Sequence, residues 1–141
     1  MSSPHEILNP PTMAPARGFS HAVVASPGRT IYLGGQAAHD DTGAIAGATV
    51  VEQFDAAARN VVEALGAAGA GVEHLVAMSI YVTDLVEYRG ALQELADVYR
   101  RSFGKHYPAI ALLEVAGLFD PDAKVELVCT AVVPDHDRYR S

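Results

Sequence analysis

The chain has 141 residues, 50% of them hydrophobic, and this length favours one domain spanning residues 1–141 that can bury a core. Its 17 acidic and 10 basic residues give a net charge of −7, which disfavours nucleic-acid binding because phosphate recognition needs cationic groups. Without a signal peptide or an apolar run near the ~20 residues that cross a bilayer, we expect a cytoplasmic protein with no membrane partner.

The N-terminal third predicts an arm followed by a hairpin. Residues 1–17 contain four prolines and no periodicity, which is typical of an extended or partly disordered arm. Apolar, β-prone residues in 22–26 and 30–33 flank the turn Pro27-Gly28, the pattern of a β-hairpin. Gly34-Gly35 then allows the backbone to bend or to approach another group closely.

Two amphipathic helices are indicated in the middle of the chain. Thr49 and Glu52 have the spacing of a capping box and precede apolar residues at helical spacing. Asp84 and Glu87 open a second helix in the same style, and Gly104 marks its end. The apolar stripe of the second helix consists of Tyr88, Leu92, Leu95, Tyr99 and Phe103.

The remaining strands complete an α+β pattern. Alternation over 76–82 predicts a half-buried strand, and two more strands are expected near 110–115 and 124–133. The order β-β-α-β-α-β-β predicts a mixed sheet with both helices on one face. The other face would be uncovered and rich in Ala, Val and Leu, which usually means oligomerisation. Residues 134–141 form a polar tail that we expect to be mobile.

Five segments in the same order resemble the RidA/YjgF family of imine and enamine deaminases. They are Gly18-Phe19-Ser20-His21-Ala22, Ile31-Tyr32-Leu33-Gly34-Gly35-Gln36, Tyr81-Val82-Thr83-Asp84-Leu85, Pro108-Ala109 with Glu114-Val115-Ala116, and Val125-Glu126-Leu127. The resemblance covers roughly residues 18–133 and implies a chorismate-mutase-like fold. It also implies a homotrimer with a central β-barrel-like core, small-molecule pockets at the subunit interfaces, and no metal or organic cofactor. The scattered histidines likewise lack metal-ligand spacing.

In the deaminating members, an arginine binds the carboxylate of a 2-imino acid and a glutamate orients water and moves protons. The matching positions here are Ile110 and Glu126. An isoleucine forms no hydrogen bond to a carboxylate, a loss of about 2–5 kcal/mol when the charge is buried. Arg17, Arg59 and Lys105 could supply a cation instead, although solvated surface charge is the ordinary role of each.

Three other departures remove polar groups from the pocket that the resemblance implies. Phe19 replaces a common tyrosine, Gly34 a common serine, and Ala96 a common asparagine. Together with Ile110 they predict a more apolar and roomier pocket. Cys129 alternates onto the strand face opposite Glu126, so we expect an inert core thiol.

We expect Glu126 to be the catalytic residue because a carboxylate on a largely apolar sheet face could serve as general acid or base. The alternative is a solvated or ion-paired glutamate at the sheet rim. The predicted pocket residues are Phe19, His21, Gly34, Gly35, Tyr107, Ile110, Ala111 and Glu114.

Three of these pocket residues have ordinary structural alternatives. His21 could be an acid-base group or an exposed histidine at a strand edge. Tyr107 could close the pocket mouth or pack beside Pro108. Glu114 could neighbour Glu126 across adjacent strands or cap a loop.

The resulting hypothesis is a metal-free, hydrolase- or deaminase-like activity on a small apolar metabolite in an intersubunit pocket. Glu126 would activate water or transfer a proton, in hydrolysis or tautomerisation of an imine, enamine or carbonyl compound. Backbone amides near Gly34-Gly35 and Ile110-Ala111 could stabilise developing negative charge. The alternative is a non-catalytic metabolite-binding or scaffold trimer; deamination of 2-imino acids is less favoured.

Overall fold

A computed structural model describes residues 2–135, which form a mixed α+β fold as predicted. The strands are β1 (Glu6–Leu8), β2 (Ala22–Val24), β3 (Gly28–Tyr32), β4 (Leu75–Val82), β5 (Ala109–Glu114) and β6 (Val125–Pro134). The helices are α1 (Val50–Ala67), α2 (Leu85–Arg89) and α3 (Leu92–Phe103). A single 3₁₀ turn, Val72–His74, precedes β4.

The main sheet has four strands in the order β3-β6-β4-β5. The long central strand β6 runs antiparallel to both β3 and β4. Strands β4 and β5 are parallel, so the chain between them must cross over, and α2 and α3 make that crossover. This topology makes β5 an edge strand beside the helices.

Helices α1 and α3 cover one face of the sheet, and the core lies between these helices and the sheet. Along β6 the side chains alternate: Val125, Leu127 and Cys129 are buried, while Glu126 and Val128 are half-buried on the other side. The predicted alternation of this strand is therefore confirmed. Burial raises the pKa of the Cys129 thiol to about 12, as expected for an inert core cysteine.

The second face of the sheet, here called the open face, lies opposite the helices. It includes Tyr32, Ala77, Ala111 and Leu113, all of which are exposed. Tyr32 is 81% exposed and Leu113 is 46% exposed. The open face thus carries the uncovered apolar side chains that the sequence pattern predicts.

The predicted hairpin across Pro27-Gly28 is wrong. Strand β2 pairs with β1, with Ile7 opposite Val23, and β3 pairs with the distant β6. Gly28 lies so close to the β6 backbone that an added Cβ would collide with Val133 O, so this glycine permits a close approach between strands. The arm is also ordered in part, because β1 lies within the predicted arm 1–17.

The predicted second helix is two helices. α2 ends at Arg89 and α3 begins at Leu92, whereas the predicted end at Gly104 is confirmed by its positive φ of 65°. Asp84 caps α2 through the Glu87 N–H. The Glu87 side chain instead accepts hydrogen bonds from Val50 N–H at 2.9 Å and Lys124 Nζ at 2.8 Å, so the second capping box is incomplete.

The first helix begins with the predicted capping box. Thr49 Oγ1 accepts from Glu52 N–H, and Glu52 Oε1 accepts from Thr49 N–H, each at 3.1 Å. No helix within residues 2–135 combines the length and apolarity needed to span a bilayer. Of the predicted polar tail, β6 includes Pro134, and residues 136–141 lie outside the described residues.

Candidate functional site

A cavity of about 550 Å³ lies between α2, α3 and the edge strand β5. Its floor consists of the buried side chains Phe54, Ile80, Leu95 and Tyr99. Exposed side chains form its rim, among them Arg17, Leu92 and Leu112. Its volume is within the range of small-molecule sites, and its lining is largely apolar.

Tyrosines supply the polar groups of this cavity. The Tyr99 and Tyr107 rings stack with centroids 5.1 Å apart and planes 6° from parallel, and the Tyr99 hydroxyl donates to His106 O at 2.7 Å. Burial raises the pKa of both Tyr99 and Tyr88, so both hydroxyls stay protonated as hydrogen-bond donors. Tyr88 lines the cavity, and its hydroxyl forms no hydrogen bond to residues 2–135.

Several positions at which an apolar residue replaces the polar residue implied by the resemblance lie in this one cavity. Ile110 pairs with the buried Met78 across β4 and β5, so its side chain points to the helix side of the sheet. Phe19, Ala96 and Tyr107 line the same cavity. Leu112 also lines the cavity and was not predicted, although strand alternation places its side chain on the same face as that of Ile110.

The stripe of the predicted second helix has a double role. Tyr88, Leu92, Leu95 and Tyr99 all line the cavity, while Leu95 and Tyr99 also belong to the core. The periodicity predicts an apolar face but gives no sign that part of it borders an opening. The break between α2 and α3 lies within this stretch.

The N-terminal arm completes the cavity rim. Ser20 is buried; its N–H donates to Pro108 O at 3.0 Å, and its hydroxyl donates to Tyr107 O at 2.6 Å. These two bonds attach the arm to the start of β5, beside the Ile110 position. Gly18 adopts a φ of 75°, a conformation that other residues rarely take, and directs the chain there.

Arg17 is the one charged residue among the described residues that line the cavity. Within residues 2–135 its guanidinium forms no ion pair or hydrogen bond. Of the other cations considered, Arg59 pairs with Asp55 at 3.6 Å on α1, and Lys105 is an exposed residue outside the cavity lining.

Glu126 lies on the open face, on the other side of the sheet. It pairs with Tyr81 on β4 and is half-buried. Its carboxylate forms no hydrogen bond or ion pair with the described part of the chain. A Cβ added at Gly35 would be 2.5 Å from Glu126 Oε2, so the carboxylate occupies space that only a glycine at residue 35 leaves free.

The Gly34-Gly35 segment forms a bulge against β6. Leu33 N–H donates to Cys129 O at 3.1 Å, and Gln36 N–H donates to Leu127 O at 2.8 Å, so one extra residue lies on the glycine side. The N–H groups of Gly34 and Gly35 have no acceptor among residues 2–135. Gly35, which carries one of these two N–H groups, packs against the Glu126 carboxylate.

Three predicted pocket residues lie neither in the cavity lining nor next to Glu126. His21 Nε2 is 2.7 Å from Ala14 O within the arm, and Ala111 is exposed on the open face. The Glu114 carboxylate accepts from Leu85 N–H at 2.9 Å and so caps α2. It does not neighbour Glu126, because β4 separates β5 from β6.

The predicted site residues thus form two groups on opposite faces of one sheet. The cavity group contains Phe19, Tyr107 and Ile110, and the open-face group contains Glu126 with Gly34-Gly35. One chain alone cannot bring the carboxylate into the cavity. Among residues 2–135, no three His, Cys, Asp or Glu side chains are grouped closely enough to hold a metal ion.

Comparison with known proteins gives consistent matches. The sequence model of the family described as Endoribonuclease L-PSP matches residues 10–133, which include the cavity and Glu126. RutC family protein UK114 of Drosophila melanogaster is 35% identical over 119 residues, covering 84% of this chain and 81% of that protein. A 2-iminobutanoate/2-iminopropanoate deaminase of Capra hircus is 32% identical over 115 residues, covering 81% and 79% respectively. The Rid-family protein YyfB of Yersinia pestis aligns with a TM-score of 0.83 at 29% identity, covering 92% of this chain and 98% of that one.

Proposed function

Because this chain belongs to the RidA/YjgF family, we propose that it converts a small apolar imine, enamine or carbonyl compound at a site shared by two copies of the chain. The cavity of one copy would bind the apolar body of the substrate. The open face of a neighbouring copy would supply Glu126. A homotrimer with a pocket at each interface satisfies this arrangement, because each copy then contributes both surfaces.

The unpartnered carboxylate of Glu126 is the observation that carries this proposal. A half-buried glutamate with no hydrogen bond to residues 2–135 is free to accept or donate a proton. In imine hydrolysis, Glu126 would take a proton from water as the oxygen adds to the carbon of the C=N bond. Return of that proton to nitrogen would give a carbinolamine. Glu126 would then move the hydroxyl proton to the nitrogen, so that the C–N bond breaks, ammonia leaves and the C=O bond forms. In tautomerisation, the carboxylate would move a proton between two substrate atoms.

The neighbouring backbone supports the same chemistry. The N–H groups of Gly34 and Gly35 have no acceptor among residues 2–135, and Gly35 packs against the carboxylate. They could donate hydrogen bonds to negative charge that develops on the substrate. Ile110, Phe19 and Ala96 would select an apolar body, because each presents hydrocarbon to the cavity.

A binding or scaffold trimer is the second candidate. The observation that favours it is the absence of carboxylate, histidine and lysine side chains among the described residues that line the cavity. Such a trimer would bind the same ligands without turnover. Action on RNA is disfavoured for both candidates, because the net charge is −7.

The catalytic proposal is tested with imines that an amino-acid oxidase generates in situ from alanine and from phenylalanine. Both imines carry a carboxylate that Ile110 cannot bind, and only the phenylalanine-derived one adds an apolar body that fits the cavity. We therefore expect faster ammonia release from it than from the alanine-derived imine. Glu126→Gln should lower this rate by about 10²-fold or more, since it removes the proton-transfer group but keeps the shape. Glu63→Gln, which removes an exposed carboxylate on α1, is the matched control and should retain the wild-type rate.

Two results would count against the proposal. Full activity of Glu126→Gln would exclude this carboxylate from the chemistry, and ligand binding without turnover in the wild type would favour the binding trimer. Ile110→Arg should shift the preference toward the small alanine-derived imine. Rapid release from that imine by the wild type would contradict the role given to Ile110.

A further inference from the structure

The Tyr88 hydroxyl is a polar group that the described chain leaves without a partner. Tyr88 lies on α2, packs against the core and lines the cavity. Burial raises the pKa of its hydroxyl, yet no group within residues 2–135 forms a hydrogen bond with it. Proteins rarely leave a desolvated hydroxyl unpaired, because the hydrogen bond lost to water is then not replaced. This hydroxyl therefore needs an acceptor from outside the described chain.

The other tyrosines of the cavity show what is particular to this one. The Tyr99 hydroxyl, whose pKa is also raised by burial, donates to His106 O at 2.7 Å and is satisfied within the fold. The Tyr107 hydroxyl has no hydrogen bond to residues 2–135, so a test must distinguish it from that of Tyr88. The stack of Tyr107 on Tyr99 accounts for the position of its ring without a ligand.

Contacts on both sides of Tyr88 hold α2 in place. At the start of this helix, the Glu114 carboxylate on β5 accepts from Leu85 N–H at 2.9 Å. Glu87, the residue before Tyr88, accepts from Val50 N–H at the start of α1, also at 2.9 Å. The phenol thus lies on a helix that is tied to both β5 and α1. A donor positioned before the ligand arrives loses little conformational entropy on binding.

We propose that Tyr88 donates a hydrogen bond to the ligand, and that the ligand is an uncharged apolar compound whose C=O or C=N group accepts it. A protonated phenol offers a dipole without a net charge, which suits a neutral acceptor. Arg17, the one charged residue in the described lining, lies on the exposed rim, so no described residue at the buried floor balances an anion. The inference rests on the proposed function, since it names the class of substrate for the same cavity.

The test measures the binding of benzylacetone, a neutral aromatic ketone, and of its analogue in which a methylene group replaces the carbonyl oxygen. NMR titration of the assembled full-length protein gives both affinities. We expect Tyr88→Phe to weaken ketone binding about five- to tenfold and to leave the affinity for the alkene unchanged, because only a hydrogen bond is removed. Tyr32→Phe removes an 81% exposed hydroxyl outside the cavity lining and should change neither affinity.

Thermal stability gives a second readout of the same hydroxyl. Tyr88→Phe should melt no lower than the wild type, because the hydroxyl that it removes has no partner among residues 2–135. A clearly lower melting temperature would show that the hydroxyl is already engaged within the protein, and would overturn the inference.

An unchanged ketone affinity in Tyr88→Phe would also overturn it, as would a wild type that binds neither ligand. Equal weakening of both ligands would have the same meaning, because a change of cavity shape would then explain the loss. Weakened ketone binding in Tyr107→Phe alone would give the role to the other phenol. The effect of Tyr88→Phe should persist in a Glu126→Gln background, since ketone binding needs no turnover. That comparison separates failure of the proposed chemistry from failure of this assignment.

Discussion

The position of Glu126 depends on the absence of a side chain at residue 35. The Gly35 backbone packs against the glutamate, so that an added Cβ would be 2.5 Å from Oε2, 2.8 Å from Cδ and 3.2 Å from Cγ. These atoms belong to the outer part of a flexible side chain. Crowding there would displace the carboxylate before it disturbed the fold.

Gly35→Ala should therefore reduce activity on the phenylalanine-derived imine by about 10²-fold, because a displaced general base no longer reaches its proton. The melting temperature should change little. Gly34→Ala is the comparison, since a Cβ at Gly34 meets no atom within 4 Å and should cost much less activity. Equal activity in the two variants would show that the carboxylate position does not matter.

Several residue identities could be interpreted from the sequence, but their surroundings could not. The replacements at Phe19, Ala96 and Ile110 predict an apolar pocket, and all three residues line one cavity. Arg17 was one of three possible cations, and its place on the cavity rim follows from how the arm attaches to the start of β5. Residues nearly ninety positions apart meet there, and no local pattern encodes that contact.

At the scale of elements, the loop between α3 and β5 is held by a buried histidine. His106 Nε2 donates to Leu75 O at 2.8 Å, at the start of β4, and His106 O accepts from the Tyr99 hydroxyl. Burial lowers the pKa of His106 below its usual 6.5; nearby His5 and His74 act in the same direction. The imidazole ring of His106 is therefore neutral in the folded protein.

We expect the free energy of unfolding to fall as pH decreases below about 6.5, because the unfolded chain binds a proton at residue 106 before the folded chain does. This one histidine contributes no more than about 1.4 kcal/mol per pH unit. Above pH 7.5 its contribution should be flat. Urea unfolding of wild type and His106→Gln at several pH values measures the difference, and parallel pH profiles would contradict this assignment.

Local signals predicted the start of α1 and the end of α3, but not the break between α2 and α3 or the pairing of the strands. The capping box at Thr49 and the stop at Gly104 are both confirmed, because capping depends on residues within one turn. The hairpin across Pro27-Gly28 is wrong, because the ten-residue strand β6 offers β3 a buried partner from the other end of the chain. The turn residues were correctly read as a change of direction, but they do not select the partner.

At the scale of the whole molecule, the exposed apolar side chains of the open face are the reason to expect that several copies of the chain assemble. Leu113 is 46% exposed and lies in line with Tyr81 and Glu126 across three strands. An apolar surface of this kind on a sheet is typical of an interface between chains. The proposed shared site needs such an interface, because the cavity and Glu126 lie on opposite faces.

We expect a mass of three times 14.9 kDa in sedimentation or light-scattering measurements. Leu113→Glu should dissociate the assembly and abolish activity on imines, because it buries a charge in the proposed interface. Val86→Glu, at a 78% exposed position on α2, is the matched control and should stay assembled. A monomeric wild type would contradict both the trimer and the shared site.

Sequence alone was enough to predict the α+β class, the start of α1, the end of α3, the alternating faces of β6 and an isoleucine at residue 110, where the resemblance implies an arginine. Each depends on residue type and on spacing within a few positions, which the chain displays directly. The folded structure was needed to show which strands pair, that Ile110 and Glu126 face opposite sides of the sheet, and that Arg17 reaches the cavity rim. Those facts arise from contacts between distant residues, and their register and direction depend on the packing of the whole domain.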